Sequence, residues 1–364
     1  MKIIHCADLH LDSKMNSNFD KIKSKERKSE ILRTFERMVE YASAQEVQAI
    51  LIAGDMFDTR NISASVRNTV LFSITSHPLI TFYYLRGNHD TDNFLSGLEE
   101  LPPNLKLFGS RWTGYQQDGI TISGIELTSE NAGSAYVSLV LNVQNFNIVM
   151  LHGQESESNS RDKTLHINLK ALKNKGIDYL ALGHVHGYKK GALDARGTYC
   201  YPGCLEGRGF DECGSHGFVV LDIDTSSGSC THTFVPFASR TLYTVTADVT
   251  DCQTTAQMAS RIDASLKEAG CSLDSLIKII LTGSLDVECE KDVEYLLSRF
   301  GSQYYFVKIY DETYLKIETD AYLFDRSLKG EFARLVMEDP QLTEDDKKMI
   351  IRYGFQAIAG EEVL

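Results

Sequence analysis

The chain has 364 residues, 43 % of them hydrophobic and 24 % charged, which is long enough for one large domain and a smaller one with a sizeable core. That composition excludes collagen-like, disulfide-scaffold and wholly disordered classes. A net charge of −13 argues against coating a nucleic acid by bulk charge, because proteins that do so are basic. Met1-Lys2 leads into Ile3-Ile4, but the run is polar by Asp8, too early for the apolar core of a secretory signal. No apolar stretch approaches the roughly 18 residues of a membrane span. Eight cysteines without a Cys-x-x-Cys pair fit a reducing compartment, so the expectation is a cytoplasmic protein with no membrane contact.

Apolar runs predict strands over Lys2–Ala7, Ala49–Ala53, Leu79–Leu85, Ile120–Ile125, Asn147–Leu151, Tyr179–Leu182 and Phe218–Ile223. Between the first two, Ile31, Phe35, Met38, Val39 and Ala42 recur at helical spacing and predict a helix over Ser29–Gln45. The basic run Lys21–Lys28 just before it reads as a solvated loop-to-helix face. The character changes at about Thr241. A strand (Leu242–Val249), a helix opened by Thr254-Thr-Ala-Gln257 at capping-box spacing, a strand (Leu276–Leu281), a helix (Asp292–Phe300) and a strand (Tyr304–Tyr310) form a small α+β module. Two further helices are predicted over Leu328–Met337 and Glu344–Ala359.

Five polar clusters each follow an apolar strand. They are Asp8-Leu9-His10, Gly54-Asp55-Met56-Phe57-Asp58, Gly87-Asn88-His89-Asp90, His152-Gly153 and Gly183-His184-Val185-His186. Ligands of open α/β folds gather at the carboxyl ends of strands, so all five are expected at one edge. An isolated Asp-x-His is more often a turn or a helix cap than a ligand site. Five such clusters in order, each after a strand, are not explained that way. Carboxylate, amide oxygen and imidazole without thiolate make a ligand set for manganese, iron or zinc rather than a structural zinc site. The seven groups Asp8, His10, Asp55, Asn88, His152, His184 and His186 are too many for one ion and suit two that share a carboxylate. Two ions a few ångströms apart can hold a hydroxide and clamp phosphate oxygens during in-line displacement.

The series Asp-x-His, Gly-Asp-x-x-Asp, Gly-Asn-His-Asp, His-Gly, Gly-His-x-His resembles the calcineurin-like metallophosphoesterases. The resemblance implies an α/β protein, a two-layer β-sandwich flanked by helices, with a small C-terminal α+β capping domain and a helical tail. Its catalytic domain would occupy residues 1–240, the capping domain 241–320 and the tail 321–364. Ala7-Asp-Leu-His-Leu11, Ala181-Leu-Gly-His184 and Tyr201-Pro-Gly-Cys-Leu-Glu-Gly-Arg-Gly-Phe-Asp211 are similar to SbcD-like DNA-repair exonucleases. By that resemblance Asp8, His10, Asp55 and His186 would hold one metal, and Asp55, Asn88, His152 and His184 the other, with Asp55 bridging. The cofactor is expected to be two divalent ions, manganese first, with iron or zinc as alternatives. A metal-bridging hydroxide would attack phosphorus, His89 would donate a proton to the leaving oxygen, and Asp58, or Asp90, would orient His89. The implied function is phosphodiester hydrolysis of DNA ends, as the nuclease subunit of an SbcCD-like repair complex with an SMC-type ATPase, with homodimerisation also implied. The alternative is a phosphodiesterase or phosphatase for nucleotides or other small phosphate esters.

Other features read more plainly. His5, His77, His166, His216 and His232 match no motif and are expected to be structural or exposed, and Cys6 a small buried hydrophobe. Tyr83, Tyr84, Tyr304, Tyr305 and Phe306 read as sheet packing rather than base-stacking platforms. Arg208, in a glycine-flanked loop, is a candidate for substrate or partner contact. From Asp311 to Leu364 there are 13 acids and 7 bases, so nearly half of the net charge lies in the tail, which either packs on the body or docks a partner. After Phe57 the chain carries Asp58 where some nuclease relatives have histidine, and Thr59-Arg-Asn-Ile-Ser63 lacks the prolines often found there.

Overall fold

The run from Ile3 to Cys6 is wholly buried and lies in β1 (Lys2–Cys6), a central strand of the first sheet in a computed structural model of the chain. The structure describes every residue except 16–18, 59–60, 97, 157–165, 287–288, 317–323 and 360–364. Thr59 and Arg60 of the proline-poor loop, and the expected boundary at 320/321, lie outside the described residues. The chain divides into two units, Met1–Thr241 and Leu242–Leu364.

In the first unit β1 is followed by α1 (Lys21–Ala44), β2 (Ala49–Ala53), α2 (Ala64–Thr75), β3 (Thr81–Leu85) and β4 (Leu105–Leu107). Next come β5 (Thr113–Gln117), β6 (Ile120–Gly124), α3 (Ala135–Ser138), β7 (Phe146–His152), β8 (Gln154–Ser156), β9 (His166–Asn168) and α4 (Leu169–Leu172). The unit ends with β10 (Tyr179–Gly183), β11 (Lys189–Ala192), β12 (Thr198–Tyr201), β13 (Gly217–Asp224) and β14 (Ser229–Pro236). Two six-stranded sheets result, ordered β14-β13-β1-β2-β3-β4 and β11-β12-β10-β7-β6-β5. One core joins their inner faces, with Ile3, Leu51 and Leu85 of the first sheet clustered with Ile122, Ile148, Met150 and Ala181 of the second. Removing such side chains from water is the main force holding the layers together, at roughly 1.5–3 kcal/mol for each large one.

β1, β2 and β3 are mutually parallel, as are β6, β7, β10 and β12. The carboxyl ends of the central strands therefore open at one edge of each layer, and the five polar clusters sit there. Cys6 is buried in β1, and Tyr83 and Tyr84 are buried in β3. His5 is buried, its Nδ1 2.9 Å from the Tyr179 hydroxyl, and burial pushes its ring down to about 3, so it is neutral.

The lysines of the basic run, Lys21, Lys23, Lys25 and Lys28, are exposed or half-buried, as a solvated face requires, and Arg27 is the exception. Asp20 caps α1 by accepting from the amides of Ile22 and Lys23, so the helix starts at Lys21, eight residues before the expected Ser29. Its second turn carries Arg27, which is 0 % exposed.

The second unit alternates β15 (Leu242–Asp248), α5 (Thr255–Glu268), β16 (Leu276–Thr282), β17 (Ser284–Leu285), α6 (Val293–Gly301), β18 (Phe306–Asp311) and β19 (Tyr314–Leu315). Its main sheet is parallel, ordered β15-β16-β18, and is packed with Met258, Ile262 and Leu266 of α5 and Leu296 and Phe300 of α6. Thr254 caps α5 by accepting from the Gln257 amide, while the Gln257 side chain accepts from the Gln253 amide. Helices α7 (Leu328–Met337) and α8 (Glu344–Ala359) share a small core of Ala333, Val336, Ile351 and Phe355. Among the described residues no helix is long and apolar enough to cross a membrane.

Candidate metal centre

Short turns after the strands aim the polar side chains. Gly54 has φ +94°, and a Cβ there would lie 2.1 Å from His152 Nδ1; at Gly183 it would lie 1.9 Å from the Ala53 carbonyl oxygen. Only glycine lets the two layers approach this closely. Asp8, His10, Asp55 and His184 themselves have φ of 51°, 45°, 51° and 98°. L-residues rarely adopt this left-handed region, and such strain concentrates at functional sites held by their surroundings.

Asp55 sits centrally and is 1 % exposed. Its Oδ1 accepts from the His89 amide at 2.9 Å, which turns Oδ2 inward, 3.3 Å from His152 Nε2 and 4.0 Å from His10 Nε2. His152 donates Nδ1–H to the Ala53 carbonyl at 2.9 Å, so Nε2 is the nitrogen facing Asp55 and, at 3.0 Å, Asn88 Oδ1. On the other side His10 Nε2 and His186 Nε2 face each other at 3.2 Å. Both Asp8 carboxylate oxygens accept from the His184 amide at 2.9 Å.

Electrostatics mark the same groups. Burial pushes the Asp8 carboxyl up to about 6, with the Asp55 charge adding to it. Burial also acts to raise Asp55, but the His152 hydrogen bond and charge outweigh it and hold Asp55 below the ordinary carboxylate range. His152, which burial alone would lower, is pushed up to about 9 by Asp55. Burial lowers His10 and His184.

His89 and Asp58 lie beside this cluster. Asp58 Oδ1 is 3.2 Å from His10 Nδ1, 3.5 Å from His89 Nδ1 and 3.3 Å from an Arg208 Nη1, while Oδ2 accepts from the Ser13 hydroxyl at 2.9 Å. The His89 side chain is 46 % exposed, open to an incoming ligand. Asp90 acts on the backbone instead. Its carboxylate accepts from the amides of Met56, Phe57 and Gly87 and ties two turns together. Beside Asn88 and His152 a cavity of about 230 Å³ is walled by Ile125, Leu127, Thr128 and the Arg86–Glu126 pair, whose two hydrogen bonds are both 2.7 Å.

The structure thus brings all nine expected site residues to one edge. It also adds one that sequence reading passed over. Glu212 Oε1 accepts from His186 Nδ1 at 2.6 Å, fixing the ring so that Nε2 points at His10. The signal available was a carboxylate in the glycine-rich loop, one residue past the Tyr201–Asp211 segment and four after Arg208. His216, expected to be structural, is buried against Cys204 Sγ (3.2 Å) and the Glu212 carbonyl (2.8 Å).

Asp8, His10 and His186 each bring one donor atom, all within 4.8 Å of one another, and Asp55, His152 and His184 do the same. Their oxygens and imidazole nitrogens, buried with lone pairs converging, fit divalent ions of the manganese, iron or zinc kind. Two imidazole nitrogens 3.2 Å apart, the His186 ring held from behind at Nδ1 by Glu212 and the His10 Nδ1 lying 3.2 Å from Asp58, are a poor mutual hydrogen bond and a good pair of metal donors.

A helix-flanked two-layer sandwich with this edge cluster defines a metal-dependent phosphoesterase. The chain belongs to the calcineurin-like phosphoesterase family, whose model matches residues 1–188 and whose members bind a dinuclear divalent metal site. It is similar to the uncharacterized metallophosphoesterase YhaO of Bacillus subtilis (strain 168), 26 % identical over 78 % of this chain and 72 % of that protein. It is also 26 % identical to the DNA double-strand break repair protein Mre11 of Saccharolobus solfataricus, over 51 % of this chain and 49 % of that one. Among solved structures it is similar to TT1561 of Thermus thermophilus, at 12 % identity and a TM-score of 0.43, over 64 % of this chain and 98 % of that one.

Proposed function

We propose that this phosphoesterase is a two-metal phosphodiesterase acting on DNA ends, the nuclease subunit of an SbcCD-like repair complex in the cytoplasm. The position of Asp55 Oδ2 between the two donor groups, 3.3 Å from His152 Nε2 and 4.0 Å from His10 Nε2, is the observation that carries the chemistry. Asp8, His10, Asp55 and His186 would hold one ion; Asp55, Asn88, His152 and His184 the other. The bound pair, manganese by preference, supplies an activated water and positive charge for the phosphate oxygens. His89, exposed beside the cluster, donates a proton to the leaving oxygen, and Asp58 orients its ring from Nδ1.

The similarity to Mre11, a DNA double-strand break repair protein by name, supports DNA as the substrate. In this reading residues 241–320 form a capping domain that restricts access to strand ends. Residues 321–364 form a tail that docks an SMC-type ATPase, and a homodimer completes the assembly. An acidic chain suits that division of labour, because the partner then supplies extended duplex contacts while the ions supply local positive charge. The competing substrate class is a nucleotide or other small phosphate ester, and the cavity of about 230 Å³ beside Asn88 is the feature that favours it.

The test compares Mn²⁺-dependent hydrolysis of a chromogenic phosphodiester, the corresponding monoester and end-labelled duplex DNA by the full chain. Cleavage of the diester and of DNA is expected. Preference for the monoester with DNA left intact overturns the nuclease assignment.

A further inference from the structure

The loop after β12 carries a cation that touches both halves of the site. Arg208 Nη2 donates to Glu212 Oε1 at 3.0 Å and lies 3.4 Å from His186 Nδ1, while Nη1 reaches Asp58 Oδ1 at 3.3 Å. The Arg208 backbone amide donates to the other Glu212 oxygen at 2.7 Å, so residue 208 grips that carboxylate from main chain and side chain together. Glu212 holds His186, and Asp58 stands against His10 and His89. The guanidinium therefore lies between the two carboxylates that set three of the site histidines.

The loop is fixed from behind. The neighbouring Gly207 carbonyl and the Glu206 carboxylate both accept from buried Arg27 of α1, at 3.0 and 3.1 Å. Arg208 itself is only 19 % exposed. A planar fork with fixed donor directions can hold two carboxylates at a set separation; a lysine ammonium carries the charge without that geometry.

We propose that Arg208 is a positioning residue that locks the His186–Glu212 pair to the Asp58–His89 pair, so that one guanidinium sets both the metal-holding ring and the proton-donating ring. This rests on the assignment of His186 as a metal-holding ring and His89 as the proton donor, and not on DNA as the substrate.

The experiment uses the full chain with Arg208→Gln, Arg208→Lys and Glu212→Gln. It reads Mn²⁺ affinity by calorimetry and kcat on two diesters, one with a p-nitrophenolate and one with a nucleoside alkoxide leaving group. Glu212→Gln is expected to weaken Mn²⁺ binding by about 10- to 100-fold, as removal of a partner behind a ligating histidine does. Arg208→Gln is expected to weaken it by at least about threefold and to slow the alkoxide diester about tenfold more than the p-nitrophenyl diester, because only the former needs the proton from His89. Arg208→Lys is expected to fall between wild type and Arg208→Gln on both readouts, and it decides the matter if Arg208→Gln does not fold. Equal slowing of the two diesters with unchanged Mn²⁺ affinity reduces Arg208 to a loop staple and overturns the proposal. A wild-type chain that binds no Mn²⁺ removes the site assignment and this inference with it, an outcome distinct from failure in the variants alone.

Discussion

Arg27 in α1 and Glu206 in the loop after β12 form an ion pair in which both side chains are 0 % exposed, with Nη2 and Oε2 3.1 Å apart. The pair sits in a larger buried network. Arg27 also meets Glu30 at 2.5 Å, Arg240 meets Glu30 at 2.7 Å, and the second Glu206 oxygen accepts from the Thr34 hydroxyl at 2.7 Å. Taking two charges out of water costs about as much as their attraction returns, but removing one partner strands the other.

Arg27→Met is therefore expected to destabilise the chain by about 3–5 kcal/mol in urea unfolding, because the fully buried Glu206 loses the charge that compensates its burial, while Glu30 keeps Arg240. The double variant Arg27→Met with Glu206→Leu should recover part of that loss. A single-variant effect below about 1 kcal/mol would contradict a structural role for the network.

Metal binding should depend steeply on pH. In the metal-free chain Asp55 holds His152 up at about 9, and burial holds Asp8 up at about 6. A ligating histidine must be neutral, so below pH 9 an incoming ion displaces the His152 proton. Mn²⁺ affinity is expected to rise about tenfold per pH unit between about 7 and 9, and more steeply below about 6 where Asp8 also carries a proton. Calorimetry in two buffers of different ionisation enthalpy counts the protons released. Affinity independent of pH across this range would mean that His152 is not a ligand.

His89→Gln should separate binding from turnover. The His89 side chain shares a third group of close donor atoms with His10 and Asp58 but is absent from the two groups centred on Asp8 and Asp55, so in the two-metal reading Mn²⁺ affinity should stay within about threefold of wild type. Hydrolysis of a dinucleotide should fall by about 10²- to 10⁴-fold, the usual contribution of a positioned general acid. Normal turnover by His89→Gln would remove the role assigned to it.

The site was legible because its parts are local. Asp8 and His10, Asp55 and Asp58, Asn88 and His89, His184 and His186 each lie within a few residues of the end of one apolar strand, so the strand and its turn encode their placement. Glu212 escaped because it meets His186 across 26 residues of loop and strand with no periodicity of its own. Arg27 escaped for a different reason. Its sequence neighbourhood is rich in lysine, and its burial is made tolerable by Glu30 one turn along the helix together with the distant Glu206 and the Gly207 carbonyl. Among secondary elements, α2 offers few buried positions, with only Val70, Ser73 and Ile74 inside, and its apolar pattern is correspondingly weak. β14 is an edge strand of alternating polar residues, held by its antiparallel pairing with β13 rather than by its own hydrophobicity. Cores and ligand clusters follow from local pattern; edge strands and positioning residues follow from pairings far along the chain.

Anomalous diffraction at the manganese edge, from crystals of the full chain grown with Mn²⁺, tests the two-metal reading most directly. Two peaks about 3.5–4 Å apart are expected on either side of Asp55, one beside His10 and His186 and one beside His152 and His184, with at least one lost in Asp55→Asn. A single peak, or two peaks of undiminished height in Asp55→Asn, would contradict it.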